Sequence, residues 1–283
     1  YVYVNAQPTV EVTVTDSAIC ENGEVTMTAN IGDYNTPNLT YQWYTTSVDP
    51  ANIIAGATQA TYTTTVAAST TFAVEVRQTT SDCAAQGTID VNVHATPIVA
   101  LAVGTATDTS ICEGGQVTLT ASATADAVLG NIAYAWYDNG ALIEGVTGAT
   151  YTVSPAASDH DTTVHHYSVV ATAEAPACSS VASNDVNVTV FANPTVVLTG
   201  DQVVCENMPF EITARIIGTN QQPLSYAWYE AGQELLGTSV VNYPEVIYNE
   251  TGWPARDEAR IYTFALTMGN GCTVTSEPFE VQV

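Results

Sequence analysis

Hydrophobic and polar residues alternate along this chain in short runs, as in Val10-Glu11-Val12-Thr13-Val14. Strict alternation places every second side chain on one face, which is the pattern of a half-buried β-strand. In the first third the pattern predicts strands over residues 9–15, 24–30, 39–45, 52–54, 61–65, 71–77 and 87–93. Thr, Val and Tyr, residues that suit a pleated surface, fill these runs. No helix of ten or more residues at 3.6 spacing is predicted. No run reaches the eighteen or so apolar residues of a membrane span.

The pattern then repeats. Cys-Glu, an alternating strand, Tyr-x-Trp-Tyr and a late Cys occur three times. The leading cysteines are Cys20, Cys112 and Cys205, the tryptophans Trp43, Trp136 and Trp228, and the late cysteines Cys83, Cys178 and Cys272. Each set recurs at a spacing of about 93 residues, so the chain holds three copies of one supersecondary unit. Each unit opens at a proline (Pro8, Pro97, Pro194) that follows a strand, giving repeats over 7–96, 97–193 and 194–283. Residues 1–6 read as the last strand of a preceding repeat. Linkers of about three residues ending in Pro hold the preceding residue extended, which favours a semi-rigid rod.

Seven short strands in the first of three like units predict an all-β fold of three tandem immunoglobulin-like β-sandwiches placed end to end. The tryptophans support it. In such sandwiches a buried Trp on the third strand follows a mid-second-strand position by about fourteen residues. Here Ala29, Ala121 and Ala214 take that position. Phe72 and Tyr167 occupy the aromatic corner of the sixth strand, a place shared by Tyr262 and Phe264 in the third repeat. Tyr41, Tyr134 and Tyr226 fall on the Trp face, whereas Tyr44, Tyr137 and Tyr229 are expected on the opposite one.

The segments Ile111-Cys112-Glu113-Gly114-Gly115-Gln116-Val117-Thr118-Leu119-Thr120, Tyr134-Ala135-Trp136-Tyr137 and Gly269-Asn270-Gly271-Cys272 carry a family likeness. With them the chain resembles the tandem immunoglobulin-like repeats of large Bacteroidota surface proteins, including gliding-motility adhesins and type IX-secreted proteins. The resemblance covers all three repeats and implies an extracellular, cell-surface setting. It does not assign a function, since such repeats serve as stalks, spacers and binding modules alike. The third repeat departs from the pattern, with Asn207-Met208-Pro209 replacing a Gly-containing turn and an insertion from Tyr243 to Arg260.

Two cysteines per repeat point to disulfides and an oxidising compartment. With no C-x2-C pair, a zinc site is a poor reading. The usual bridge joins the middles of the second and sixth strands, occupied here by Ala29 and Val74. The cysteines lie about nine residues before the first position and about nine after the second. Those strands run parallel, so opposite offsets send the two cysteines of one repeat to opposite ends, roughly 20 Å apart. A disulfide needs Cα atoms within about 7 Å. In a head-to-tail array the turn between the first two strands of one repeat faces the turn between the last two of the next. The register therefore favours Cys20–Cys178 and Cys112–Cys272, leaving Cys83 and Cys205 for neighbouring repeats. Bonds within each repeat, such as Cys20–Cys83, are the alternative.

Charge narrows the function. The chain carries 29 acidic and 4 basic residues, all arginine, for a net charge of −25. Such a polyanion gains nothing from counterion release on DNA or RNA, and an anionic membrane surface repels it. Without lysine there is no Schiff-base chemistry and no P-loop. No nucleophile–base–orienter set recurs with the repeats, and His165 and His166, adjacent on a strand, face opposite ways. Catalysis is not expected and no cofactor is implied.

Asp16/Glu21, Asp108/Glu113 and Asp201/Glu206 flank the leading cysteines. They suggest a calcium site at each junction, but two carboxylates fall short of the six to eight oxygens calcium takes. Turn capping by Asp with a solvated Glu is the favoured account. Tyr248, Trp253, Arg256 and Arg260 cluster in the third-repeat insertion as a candidate ligand site, against a local lid in which Trp253 covers core and the arginines meet acids. Asn38, Asn187 and Asn249 head N-x-S/T sequons, and Ser17 and Thr162 lie in short motifs resembling Bacteroidota O-glycosylation sites. The sequence thus favours a stalk segment of an extracellular adhesin or filament, its partners being neighbouring repeats, other copies in a filament, or a surface glycan. The alternatives are a glycan- or protein-binding module, and a viral fibre or decoration protein.

Overall fold

The structure is a computed structural model that describes residues 7–32, 38–81, 83–106, 108–158, 162–218, 223–238, 244–254 and 258–283. The strand expected over residues 1–6 lies outside them. In the first repeat the strands are β1 (Val10–Val14), β2 (Ala18–Cys20), β3 (Gly23–Ile31), β4 (Leu39–Thr45), β5 (Thr61–Val66), β6 (Thr70–Gln78) and β7 (Ala84–His94). The second repeat supplies β8 (Ile98–Ala102), β9 (Asp108–Cys112), β10 (Val117–Thr124), β11 (Ile132–Asp138), β12 (Ala141–Ile143), β13 (Thr150–Val153), β14 (Thr163–Ala173) and β15 (Val186–Phe191). The third has β16 (Thr195–Gly200), β17 (Phe210–Ile217), β18 (Pro223–Glu230), β19 (Gln233–Thr238), β20 (Glu245–Glu250), β21 (Arg260–Met268), β22 (Thr273–Thr275) and β23 (Phe279–Val281). No α-helix occurs among the described residues.

Every sheet draws its strands from a single repeat. The first pairs β1-β3-β5 against β2-β7-β6-β4, the second β13-β10-β8 against β12-β11-β14-β15-β9. The third sets β16-β17-β20 against β19-β18-β21-β22, with β23 also on β21. Inward positions of the two sheets meet over a tryptophan that is 0% exposed in each repeat: Trp43, Trp136 and Trp228. Around them lie Met27, Val74 and Val76, then Leu119, Val169 and Val188, then Ile212, Phe264 and Leu266. The corner aromatics Phe72, Tyr167, Tyr262 and Phe264 are buried as well.

Four details differ from the sequence reading. Residues 52–54 form no strand: Pro50–Asn52 is a 3-10 turn, capped by the Asp49 carboxylate, which accepts from the Ala51 amide at 2.8 Å. An Asp cap followed by Pro starts a helical turn better than a strand. Only a bridge from Ile53 to Tyr44 remains there, and Tyr44 is buried rather than exposed. Burial, and after it the charge of Glu75, raises its hydroxyl pKa. The leading cysteines do not sit in a plain turn either. Cys20 and Cys112 end β2 and β9, short strands that pair in parallel with β7 and β15. Finally, the third repeat's supposed insertion contains β20, a regular strand on β17.

Candidate functional site

The residues that set this chain apart gather where one repeat meets the next. Parallel pairing of β2 with β7 brings Cys20 opposite His94, the last residue before the linker, and the Glu21 amide donates to the His94 carbonyl at 2.9 Å. In the second repeat Cys112 stands opposite Phe191, and the Glu113 amide donates to the Phe191 carbonyl at 2.9 Å. A parallel pair ends on one side of the sheet, so each leading cysteine lies beside the exit to the next repeat. The chain then turns sharply, and the second residue after each cysteine takes a left-handed φ: Asn22 at 62°, Gly114 at 82°, Asn207 at 59°. Glycine and asparagine tolerate that region best. Asn207 thus keeps the turn that its sequence seemed to abandon.

The late cysteines arrive from the opposite side on turns that close the sixth strand of each sandwich. The carbonyls of Cys83, Cys178 and Cys272 accept from the amides of Gln78, Ala173 and Met268 at 2.9, 2.9 and 2.8 Å. Cys20 is bonded to Cys178 with Cα atoms 5.4 Å apart, and Cys112 to Cys272 at 5.7 Å. Both bonds join one repeat to the next. Cys178 is 0% exposed in a small cluster with Leu129 and Ala173, against which Cys20, Ala125 and Ile132 pack. Cys272, with Cys112 and Phe191 against it, belongs to the third repeat's own core. The free cysteines are Cys83, half-buried, and Cys205, exposed.

In the second repeat the acidic residues at these turns hold asparagine amides of the linker and of β15 rather than a shared centre. The Glu113 carboxylate accepts from the Asn193 amide at 3.1 Å, and its carbonyl accepts from the Asn193 side chain at 3.2 Å, tying down the linker. Asp108 accepts from the Asn187 side chain at 2.7 Å. Asp16, Glu21, Asp201 and Glu206 are exposed. Among the described residues no group of three or more His, Cys, Asp or Glu could hold a metal. The Asn187 sequon is engaged at both ends of its amide, since its oxygen also meets His166 Nδ1 at 2.6 Å. Ser17, Asn38 and Asn249 are exposed and Thr162 half-buried.

The third-repeat cluster is a packed lid. Tyr248 lies on β20 opposite Ile212, as Tyr62 lies opposite Met27 and Tyr151 opposite Leu119. Each of these tyrosines rests on its repeat's tryptophan, with ring centroids 5.6, 6.2 and 5.7 Å apart. Tyr248 is therefore a repeat core residue, and its hydroxyl donates to Glu250 at 2.7 Å. Arg260 is 6% exposed, ion-paired with Glu230, and its guanidinium lies 3.7 Å above the Trp253 ring. Trp253 has one face covered by that cation and packs against the core. Its carbonyl accepts from the Asn207 amide at 2.9 Å, bracing the Cys205 turn. Arg256 lies outside the described residues. A ligand site built on Tyr248 and Arg260 is thus corrected: both are buried and already partnered. Nearby, a cleft of about 460 Å³ is lined by Asp201, Pro209, Phe210, Glu211, Asn249, Glu250 and Thr251, and its charged groups are all carboxylates.

Two-sheet sandwiches in series, each closed over a central tryptophan, define a tandem immunoglobulin-like domain protein. Residues 6–97, the first repeat, match the family described as Ig-like domain, CHU_C associated, a Bacteroidota type that is associated with cell-surface proteins. Among solved structures the chain is similar to the titin I-band fragment I67-I69, at 10% identity, 99% coverage of both chains and a TM-score of 0.46. It is also similar to the three N-terminal domains of the bacteriophage RB49 outer capsid protein Hoc, at 15% identity, 98% and 99% coverage and a TM-score of 0.36. The fibronectin(III)-like modules of Clostridium thermocellum CbhA match at 14% identity over 65% of this chain and 92% of theirs, with a TM-score of 0.32. No curated protein matches the chain. No helix among the described residues is long and apolar enough to cross a membrane.

Proposed function

We propose that this chain is a non-enzymatic structural segment of an extracellular repeat protein, a stalk that holds a distal region of an adhesin or surface filament away from the cell. One observation carries the reading: each junction between its repeats is crossed by a disulfide as well as by the linker. A domain that only displays a binding face has no need of a covalent second crossing, whereas an array under load does. Disulfides also suit an oxidising, extracellular compartment. The net charge of −25 fits the same role, since like-charged rods stay apart.

Cys83 and Cys205 are the two unfilled halves of the same junction, one the late-turn half and one the leading-strand half. Their natural partners are the matching cysteines of repeats on either side in a longer array. Peptide mapping without reduction tests the reading. Fragments joining Cys20 to Cys178 and Cys112 to Cys272 are expected, with Cys83 and Cys205 open to alkylation. Recovery of Cys20 joined to Cys83 would remove the stapled junctions and the stalk reading with them.

A further inference from the structure

The two disulfides overlap in sequence: Cys20–Cys178 begins first, Cys112–Cys272 begins inside it, and each ends in the repeat beyond. This connectivity sets which parts of the chain a pulling force travels through. The first repeat reaches the second through the linker at Pro97 and through the bond at Cys178. The second reaches the third through the linker at Pro194 and through the bond at Cys112. Two covalent paths therefore run through the second repeat, residues 97–112 and residues 178–194. They carry β8 and β9, each at the edge of its sheet, and β15, which lies next to β9 and is hydrogen-bonded to it in parallel. Residues 113–177, which hold Trp136 and most of the core, hang between the paths as a side loop.

We infer that the bonds make this array a tether of nearly fixed length, in which the sandwiches are bypassed by two covalent rails. Each rail through the second repeat spans about 50 Å when fully extended. Its folded sandwich already needs much of that, since the 11 residues of β14 alone cover roughly 35 Å. Opening the second repeat lengthens the chain by very little. The same holds at the ends: force entering at Gln7 leaves the first repeat at Cys20, and force leaving at Val283 enters the third at Cys272. While any one repeat stays folded, no path through the chain grows long. With all three open, the shortest path runs 7–20, across to Cys178, back to Cys112, across to Cys272 and on to 283, about a third of the whole contour. This follows from connectivity alone and holds whatever the array carries.

Single-molecule pulling on the full chain, held at its two ends with Cys83 and Cys205 alkylated, reads it directly. With both bonds broken by a dithiol reductant, three long steps of roughly 300 Å are expected, one for each repeat. The oxidised chain gives no step of that length: it lengthens by about 50 Å or less at a time until its last repeat opens, which adds one shorter step of roughly 200 Å. Cys20→Ser with Cys178→Ser restores one long step, that of the first repeat. Cys112→Ser with Cys272→Ser restores one, that of the third. The series of none, one, one and three separates a bypass from mere stabilisation, which would raise unfolding forces and leave every step its full length. Three long steps from the oxidised wild-type chain would overturn the inference. Should a Ser pair misfold, partial reduction of the wild-type chain supplies the same intermediate classes.

Discussion

The second and third repeats share a plan and differ in how they treat polar groups beside the core. In the second, Trp136 donates through Nε1 to the Gly148 carbonyl at 2.9 Å, as Trp43 does to Gln59 in the first. Among the described residues Trp228 Nε1 and Arg260 Nε, in the third, are buried with no partner. The second repeat's side-chain pair, His165 with Asp138, is an ion pair only when the imidazole is protonated, and its side chains are 17% and 29% exposed. That of the third, Arg260 with Glu230, is 5% and 17% exposed. Apolar positions therefore repeat faithfully, while each sandwich solves its polar inventory separately. The third repeat, with a buried cation and, among the described residues, an unsatisfied indole at its core, is the one whose stability hangs on single side chains.

Arg260→Ala should give the largest effect. It strips the cation from the Trp253 face and leaves Glu230 in a poorly hydrated site without its partner. Removing one member of a buried pair costs about 3 kcal/mol or more. Urea unfolding followed by hydrogen exchange in β21 should show the third repeat opening well before the others. Arg260→Lys should recover only part of the loss, because an ammonium lacks the plane that stacks on the indole. If Arg260→Ala leaves the third repeat as stable as the second, the contrast drawn above is wrong.

Alkaline pH should separate the same two repeats. Burial first, and the charge of Glu230 after it, pushes the Tyr262 hydroxyl up to about 12. Tyr248 is raised further still, by burial and then by its hydrogen bond to Glu250, and Tyr167 by burial and then by Asp138. Below pH 10.0 folded and unfolded chains both keep these protons, so the stability is fully present. Above it the unfolded chain releases them first, and stability is lost as pH climbs through the folded values. The third repeat holds two such tyrosines and the second one, so the third should open at lower pH. Absorbance of tyrosinate at 295 nm, run beside hydrogen exchange, checks the order; simultaneous opening would count against it.

The sandwiches were legible because alternation and the tryptophan spacing report burial directly, and burial is what recurs. Disulfide geometry is demanding enough that opposite cysteine offsets favoured bonds between repeats over bonds within them. The offset argument and the structure give the same two pairs, Cys20–Cys178 and Cys112–Cys272. What escaped was set by contacts distant in sequence. The parallel strand β2 has only 3 residues, too few to show a period, and its partner lies in β7. Tyr248 passed for a loop residue because its spacing from Trp228 differs from that of Tyr151 from Trp136, although each pairs opposite the same core position. The lid reading, with Trp253 over core and the arginines meeting acids, anticipated the Arg260–Glu230 pair, and only the fold shows Arg260 buried beneath Trp253.

Replacing the tryptophans tests the polar contrast more finely. Trp136→Phe and Trp228→Phe each remove similar packing, but only the first gives up a hydrogen bond, that to the Gly148 carbonyl. Only the second removes an unsatisfied donor. Trp136→Phe should therefore cost about 1 kcal/mol more than Trp228→Phe. Equal losses in urea midpoints, compared in a common background, would mean that the unpaired indole nitrogen carries no penalty.

The smallest effect should come from His165→Ala. Its Nδ1 lies 2.9 Å from the Asp138 carboxylate, its Nε2 lies 3.2 Å from the Ala156 carbonyl, and its ring stacks on Tyr167 at 6.0 Å and 14°. Three contacts would suggest an anchor comparable with Arg260. Water reaches both members of this pair, however, so either group is rehydrated when the other is removed, and such pairs contribute about 1 kcal/mol or less. With the imidazole protonated, the loss should also shrink in high salt, which screens an exposed pair and leaves the Arg260 effect nearly unchanged. Urea unfolding of His165→Ala and Arg260→Ala at low and high ionic strength compares the two sites on equal terms. A salt-independent loss at His165 as large as that at Arg260 would place the two pairs in the same dielectric and erase the distinction between the repeats.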